Sequence, residues 1–178
     1  MRADAAMLER AILFATEKHK GIRRKSDGKP YILHPMAVMM ILFSLKDSNN
    51  KYLLAVVAIL HDVVEDCNVT LAEIRRLFGY AVAALLEEVT TDKKKCEQMG
   101  KTAYLCMRVL EMTSYGLRVK LADRLHNCSD LKNMSQKFRD NYIPQTQEII
   151  RTLETQRRLT KTHKYLLGKI KLALKKAA

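Results

Sequence analysis

The chain has 178 residues, 48% of them apolar, with 32 Lys and Arg against 19 Asp and Glu for a formal charge of +13. That length and apolar content fit one folded domain and exclude a disordered chain. The charge favours anionic partners without choosing among nucleotides, nucleic acid and anionic membrane.

The apolar runs Met36 to Phe43 and Leu53 to Leu60 fall far short of the ~20 residues that a membrane span needs. The start, Met1 to Arg10, is amphipathic and carries acids, so it does not read as a signal peptide. Cys67, Cys96, Cys106 and Cys128 contain no Cys-x-x-Cys pair, which fits ordinary thiols in a reduced compartment. The expected setting is soluble and cytoplasmic. No Trp is present, so no stacking platform for single strands is evident.

In chain order, Leu8, Ala11, Ile12, Ala15 and His19 recur at helical spacing and predict a helix over 5–20. Gly21 to Pro35, with Asp27-Gly28, Pro30 and Pro35, predicts an ordered loop, and Pro35 suits the first turn of a helix through Leu45. Lys46 to Asn50 is a polar break before a central helix from Tyr52 to Asp66. Thr70 and Glu73 form a capping box opening a helix that ends at Phe78-Gly79. A further helix is predicted for Ala81 to Val89. Thr90 to Gly100, with Lys93-Lys94-Lys95, reads as a mobile charged segment. Thr102 to Met112 and Leu117 to Asn127 predict two more helices separated by Ser114-Tyr115-Gly116. After a polar stretch over 128–143, one long helix is predicted from Pro144 to Lys176. No strand pair or repeat stands out, so the fold class is all-α, a compact multi-helix domain spanning 1–178.

Three constellations carry chemistry. His61, Asp62, Glu65 and Asp66 follow an apolar run, and on one helix they share an arc of roughly 140°. Burying such charges unpaired would cost several kcal/mol per ion, which calls for a metal or a partner. Lys120, Asp123 and Asn127 share a face at i, i+3, i+7, where a carboxylate flanked by polar groups suits a metal ligand. The loop Arg23-Arg24-Lys25 through Lys29 is a candidate phosphate or base clamp, and His34 beyond it is a candidate ligand.

Together these stretches resemble the HD-domain metal phosphohydrolases, whose signature is a histidine, a His-Asp doublet and a distant aspartate. More narrowly they resemble the hydrolase domain of the RelA/SpoT alarmone enzymes, above all the stand-alone small alarmone hydrolases. The resembling stretches are Arg24-Lys25, Pro30 to Pro35, Leu60 to Asp66, Val69-Thr70-Leu71, Phe78-Gly79, Val89 to Lys93 and Lys120 to Asn127. The match runs from about Met7 to Leu131; the region 132–178 is divergent, basic and helical.

The resemblance implies one Mn²⁺ held by His34, His61, Asp62 and Asp123. It implies that Glu65 and Asp66 position or activate water, and that Arg24, Lys25 and Asn127 hold the nucleotide. The implied reaction, part of the stringent response, removes the 3′-pyrophosphate of ppGpp or pppGpp to leave GDP or GTP. Cys67 stands where the family often has threonine, Ser129 where an arginine commonly follows the asparagine, and 94–118 is hard to match. An HD hydrolase acting on another purine nucleotide, an adenosine alarmone or NADPH, is therefore an alternative. A basic nucleic-acid-binding module ranks below both, and nucleic acid is not the expected partner; a homo-oligomer stays open. From Pro144 onward nine Lys and Arg face two Glu, which reads as a packing helix with a solvated basic face.

Overall fold

The computed structural model describes residues 3–45 and 50–177. The polar break at Lys46 to Asn50 therefore lies, Asn50 apart, outside the described residues, as do Met1 and Arg2. Among the described residues the architecture is all-helical, and the one extended pairing is an isolated antiparallel bridge between Arg23 and Pro30. Backbone proximity divides the chain into two units, Met1–Thr90 and Thr91–Ala178.

The first unit is built around α3 (Lys51–Leu60), in which every residue from Leu54 to Leu60 is buried. A helix apolar on all sides needs neighbours all round. They are α1 (Ala5–Lys18), α2 (Leu33–Phe43) and α6 (Tyr80–Val89), while α5 (Leu71–Phe78) packs on α6. Asp4 caps α1, its Oδ1 accepting from the Met7 amide at 2.8 Å. Thr70 Oγ1 accepts from the Glu73 amide at 3.1 Å, so the predicted cap is present. The Glu73 carboxylate, however, lies 3.6 Å from Lys18 Nζ instead of closing a reciprocal box. Gly79 ends α5 at φ +88°, a conformation open to glycine.

The central helix is not continuous to Asp66. It stops at Leu60, and a single turn, α4 (Val63–Asp66), follows a kink at His61-Asp62. The cause is local: His61 Nδ1 lies 2.7 Å from the Ala58 carbonyl oxygen. A side-chain donor inserted into the helical ladder bends it.

In the second unit, α9 (Ser114–Ser129) packs against α11 (Lys161–Ala177), and α10 (Gln136–Gln156) against α8 (Lys101–Glu111). Thr90 to Gly100 is not a mobile stretch throughout. It holds α7 (Lys93–Met99), opened by Asp92, whose Oδ1 accepts from the Lys95 amide at 3.1 Å. Ser114 to Gly116 is helix rather than separator, because Thr113 Oγ1 caps the Gly116 amide at 3.2 Å.

The long helix predicted from Pro144 to Lys176 is two. Ser135 starts α10 upstream, and Pro144 lies inside it. The break comes at Arg157, in extended backbone. Its guanidinium donates to the carbonyls of Val109, Leu110 (3.2 Å) and Met112 (2.6 Å), the loose acceptors at the end of α8. Thr160 Oγ1 then accepts from the His163 amide at 3.2 Å and starts α11.

Candidate active site

The kink at His61 sets the chemistry of its ring. A backbone carbonyl can only accept, so Nδ1 must donate to Ala58, and in the neutral ring Nε2 then carries a bare lone pair. Nε2 lies 3.1 Å from Asp62 Oδ2, and His34 Nε2 approaches the same oxygen at 3.5 Å. Both histidines are buried, and their ligand atoms lie within 4.8 Å of each other. An acceptor nitrogen and a carboxylate oxygen at such distance need positive charge between them, either a proton or a cation. Two imidazoles and a carboxylate are a donor set that a first-row divalent metal accepts. The residues present therefore fit a metal.

Tyr31 holds the carboxylate. Its hydroxyl donates to Asp62 Oδ2 at 2.7 Å, and its ring lies between those of His19 (centroids 4.8 Å apart) and His34 (5.8 Å). Partners of this kind orient ligands and tune their affinity. His19, placed by periodicity as one more helical residue, ends α1 as its C-cap beside this cluster. Burial lowers its pKa, opposed by the nearby carboxylates of Asp62 and Asp66. Its Nδ1 meets Cys67 Sγ at 3.2 Å, and burial, followed by Asp66 and Asp62, pushes that thiol up. Neither His19 nor the hydroxyl of Tyr31 was singled out from sequence. Their positions before and inside the Arg24-to-Pro35 loop were the available clue.

Glu65 and Asp66 sit one turn beyond Asp62, Glu65 half-buried and Asp66 exposed. The Asp66 amide bonds back to the Asp62 carbonyl at 2.9 Å, which fixes Asp62 and Asp66 one helical turn apart.

The Arg24-Lys25 loop is a hairpin-like turn. The Arg24 amide donates to the Lys29 carbonyl at 2.8 Å and the Gly28 amide to the Arg24 carbonyl at 3.0 Å. Asp27 Oδ1 accepts from the Lys29 amide, the main reason its carboxyl is held below the usual range. Arg24 is buried, with Nε 3.2 Å from Ser26 Oγ, whereas Lys25 is exposed. Of the two cations expected to meet the nucleotide, Arg24 is thus held by the turn and Lys25 stands exposed on it.

Asp123 and Asn127 belong to the second unit, where Asn127 Nδ2 donates to Asp123 Oδ1 at 2.7 Å. Beneath them Arg124 anchors α9 to α10. Its guanidinium donates to Thr146 Oγ1 (2.8 Å) and Gln145 Oε1 (3.3 Å) and sits 4.7 Å over the Tyr142 ring. Burial of the Tyr142 hydroxyl raises its pKa, against the pull of Arg124 and a hydrogen bond with Asn127. Tyr142 lies in the stretch 128–143 that the sequence offered only as polar.

A protein-family model described as HD domain matches residues 11–158. Over 174 residues, 93% of this chain and 96% of the relative, the chain is 36% identical to a Homo sapiens protein named guanosine-3′,5′-bis(diphosphate) 3′-pyrophosphohydrolase MESH1. A Xenopus tropicalis protein of the same name is 41% identical over 74% of this chain and 73% of its own length. A solved structure titled as a metazoan ortholog of SpoT that hydrolyzes ppGpp superposes with TM-score 0.81 at 26% identity, covering 99% of this chain and 98% of that one. No helix among the described residues is long and apolar enough to cross a membrane. A family match through both units, long relatives at this identity and a buried His/Asp cluster agree: the chain belongs to the HD-domain family, in its RelA/SpoT hydrolase-like branch.

Proposed function

We propose that the chain hydrolyses the 3′-pyrophosphate of guanosine tetra- and pentaphosphate, releasing pyrophosphate and leaving GDP or GTP, with Mn²⁺ as its metal. The convergence of His34 and His61 on one Asp62 oxygen carries this reading, because two imidazoles and a carboxylate brought together are a donor set that suits a divalent metal. The names of the MESH1 relatives supply the substrate class. His34, His61, Asp62 and Asp123 would hold the ion, which supplies a Lewis acid for phosphate oxygen and a lowered pKa for bound water.

The chain's own residues do the rest. Tyr31 keeps Asp62 aimed at the two imidazoles, and the Ala58 carbonyl keeps His61 in the ligand tautomer. Glu65 and Asp66 orient the attacking water and take its proton as its oxygen bonds to phosphorus and the bond from phosphorus to the 3′ oxygen breaks; a proton returned to that oxygen completes the ribose hydroxyl of GDP or GTP. Arg24 offers a fixed guanidinium to the guanine side of the nucleotide and Lys25 a mobile charge to its phosphates. Asn127, bonded to Asp123, supports the ribose. We read the two units as one functional domain, on the strength of a family match that runs through both. Cytoplasm is the proposed setting, in keeping with four free cysteines.

The test is a panel of ppGpp, pppGpp, an adenosine analogue and NADPH, each with and without Mn²⁺, assayed for pyrophosphate and phosphate. Pyrophosphate from the guanosine compounds, lost on chelation, is expected. Turnover of NADPH or the adenosine analogue alone would replace the substrate, and metal-independent turnover would overturn the centre.

A further inference from the structure

The C-terminal helix divides its sequence between two faces with little overlap. At 100° per residue, Thr162, His163, Leu166, Leu167, Ile170 and Leu174 occupy one side of α11, and all six are buried. All six lysines of α11, at 161, 164, 169, 171, 175 and 176, fall within roughly 160° on the other side and are exposed. The row is about 22 Å long at 1.5 Å per residue. The helix carries no acid, and among the described residues the one ion pair made by these lysines is Lys171 to Glu154, at 2.7 Å.

Gly168 lies at the middle of the lysine face. Glycine is the poorest helix former after proline. Yet a Cβ added there would meet nothing within 4 Å, so no neighbour in the chain requires it. A glycine without an internal reason, at the centre of a charged face, is a place where another backbone can come close.

Three classes of anionic surface could meet such a face. A membrane needs an apolar stripe to insert, and that stripe is turned inward; only Tyr165 and Leu172 among the large apolar side chains of α11 remain exposed, at 53% and 47%. A single strand needs stacking residues in a groove, and one tyrosine with Lys169 over its ring is not that. A duplex presents phosphates in rows, which a rigid line of lysines neutralises with release of counterions. We propose that the exposed face of α11 is a docking surface for the sugar–phosphate backbone of a nucleic-acid duplex, with Gly168 at the closest approach. This reverses the expectation of a merely solvated basic face and does not depend on the hydrolytic reading.

The experiment is fluorescence anisotropy of the whole chain with labelled 20-base-pair RNA and DNA duplexes, in chelator, between 50 and 200 mM KCl. Four to five phosphate contacts give roughly a 10²–10³-fold loss of affinity across that range. The triple variant Lys161→Glu, Lys164→Glu, Lys175→Glu should flatten the salt slope by about three and weaken binding at least tenfold. The triple Lys93→Glu, Lys94→Glu, Lys95→Glu, with the same net charge, should bind within threefold of the parent. Gly168→Leu should weaken binding while raising the melting temperature. If the reversal triple does not fold, the same positions as alanine serve, with a smaller loss. Equal losses from the two triples, unchanged binding in Gly168→Leu, or tighter binding to phosphatidylserine-containing vesicles than to either duplex would overturn the proposal.

Discussion

Removing one oxygen from Tyr31 isolates the contribution of ligand orientation at the His/Asp cluster. In Tyr31→Phe the ring keeps its place between His19 and His34, while the 2.7 Å hydrogen bond to Asp62 Oδ2 is lost. A hydrogen bond to an ionised carboxylate is worth about 1.5–3 kcal/mol, and orienting partners of metal ligands shift affinity by about 10–100-fold. Metal affinity should therefore fall by about one to two orders of magnitude, with thermal stability in chelator little changed. Titration calorimetry with Mn²⁺ reads the first quantity and a melting curve in chelator the second. A cycle with Asp62→Asn decides the route. If Tyr31 acts through Asp62, the double variant binds metal no worse than Asp62→Asn alone. Unchanged affinity in Tyr31→Phe, or additive losses in the double variant, would refute the assignment.

Asp62→Ala should lose both metal binding and turnover, whereas Glu65→Ala should bind Mn²⁺ within a few-fold and lose about 10²–10⁴ in rate, as expected for a proton-transfer group; calorimetry and single-turnover assays separate the two. Arg124→Ala leaves the Thr146 and Gln145 acceptors and the Tyr142 ring without their cation and should destabilise by about 2–4 kcal/mol, read as a fall of roughly 5–15 °C in the melting temperature. Burial pushes Cys128 up to about 11, so at pH 8 it holds only about one thiolate in a thousand and should be the slowest of the cysteines to alkylate in mass-spectrometric time courses. Burial lowers the pKa of His163, which accepts from the Thr160 amide through Nδ1 and faces Ser114 through Nε2, with Arg118 and Arg157 nearby. The unfolded chain then binds the extra proton first: stability is full above the ordinary imidazole value of 6.5 and lost as pH falls toward the folded pKa, by at most about 1.4 kcal/mol per pH unit per group. Compared with the parent, His163→Gln should show a shallower fall in stability between pH 7 and 5.

Where the determinants are local, the sequence is legible. Thr70, Gly79 and the 3.6-residue spacing of α1 gave those elements nearly to the residue. Elements fixed by tertiary contacts were missed. Arg157 breaks the C-terminal helix without a glycine or proline to mark it, because its effect depends on carbonyls some 45 residues away. The start of α10 has almost no apolar periodicity, so Pro144 looked like a beginning. Among the candidate site residues, His61 and Asp62 stood out by side-chain type and spacing and His34 entered through the family resemblance; the structure brings these three side chains together. Tyr31 and His19 did not stand out, since a tyrosine hydroxyl or a buried imidazole becomes significant only once its neighbour is known.

The kink at His61-Asp62 joins the two kinds of information. The stretch Leu54 to Leu60 of α3 is enclosed on every side, with seven consecutive buried residues packed against three neighbours. Continuing it as a regular helix would keep the Ala58 carbonyl for the backbone ladder and leave the His61 tautomer free to choose. Ending it there gives that carbonyl to Nδ1, which settles the tautomer and turns Nε2 toward Asp62. The apolar run that made the doublet conspicuous in the sequence is thus its buried support, and the departure from helical geometry is what fixes the His61 tautomer and aims Nε2 at Asp62.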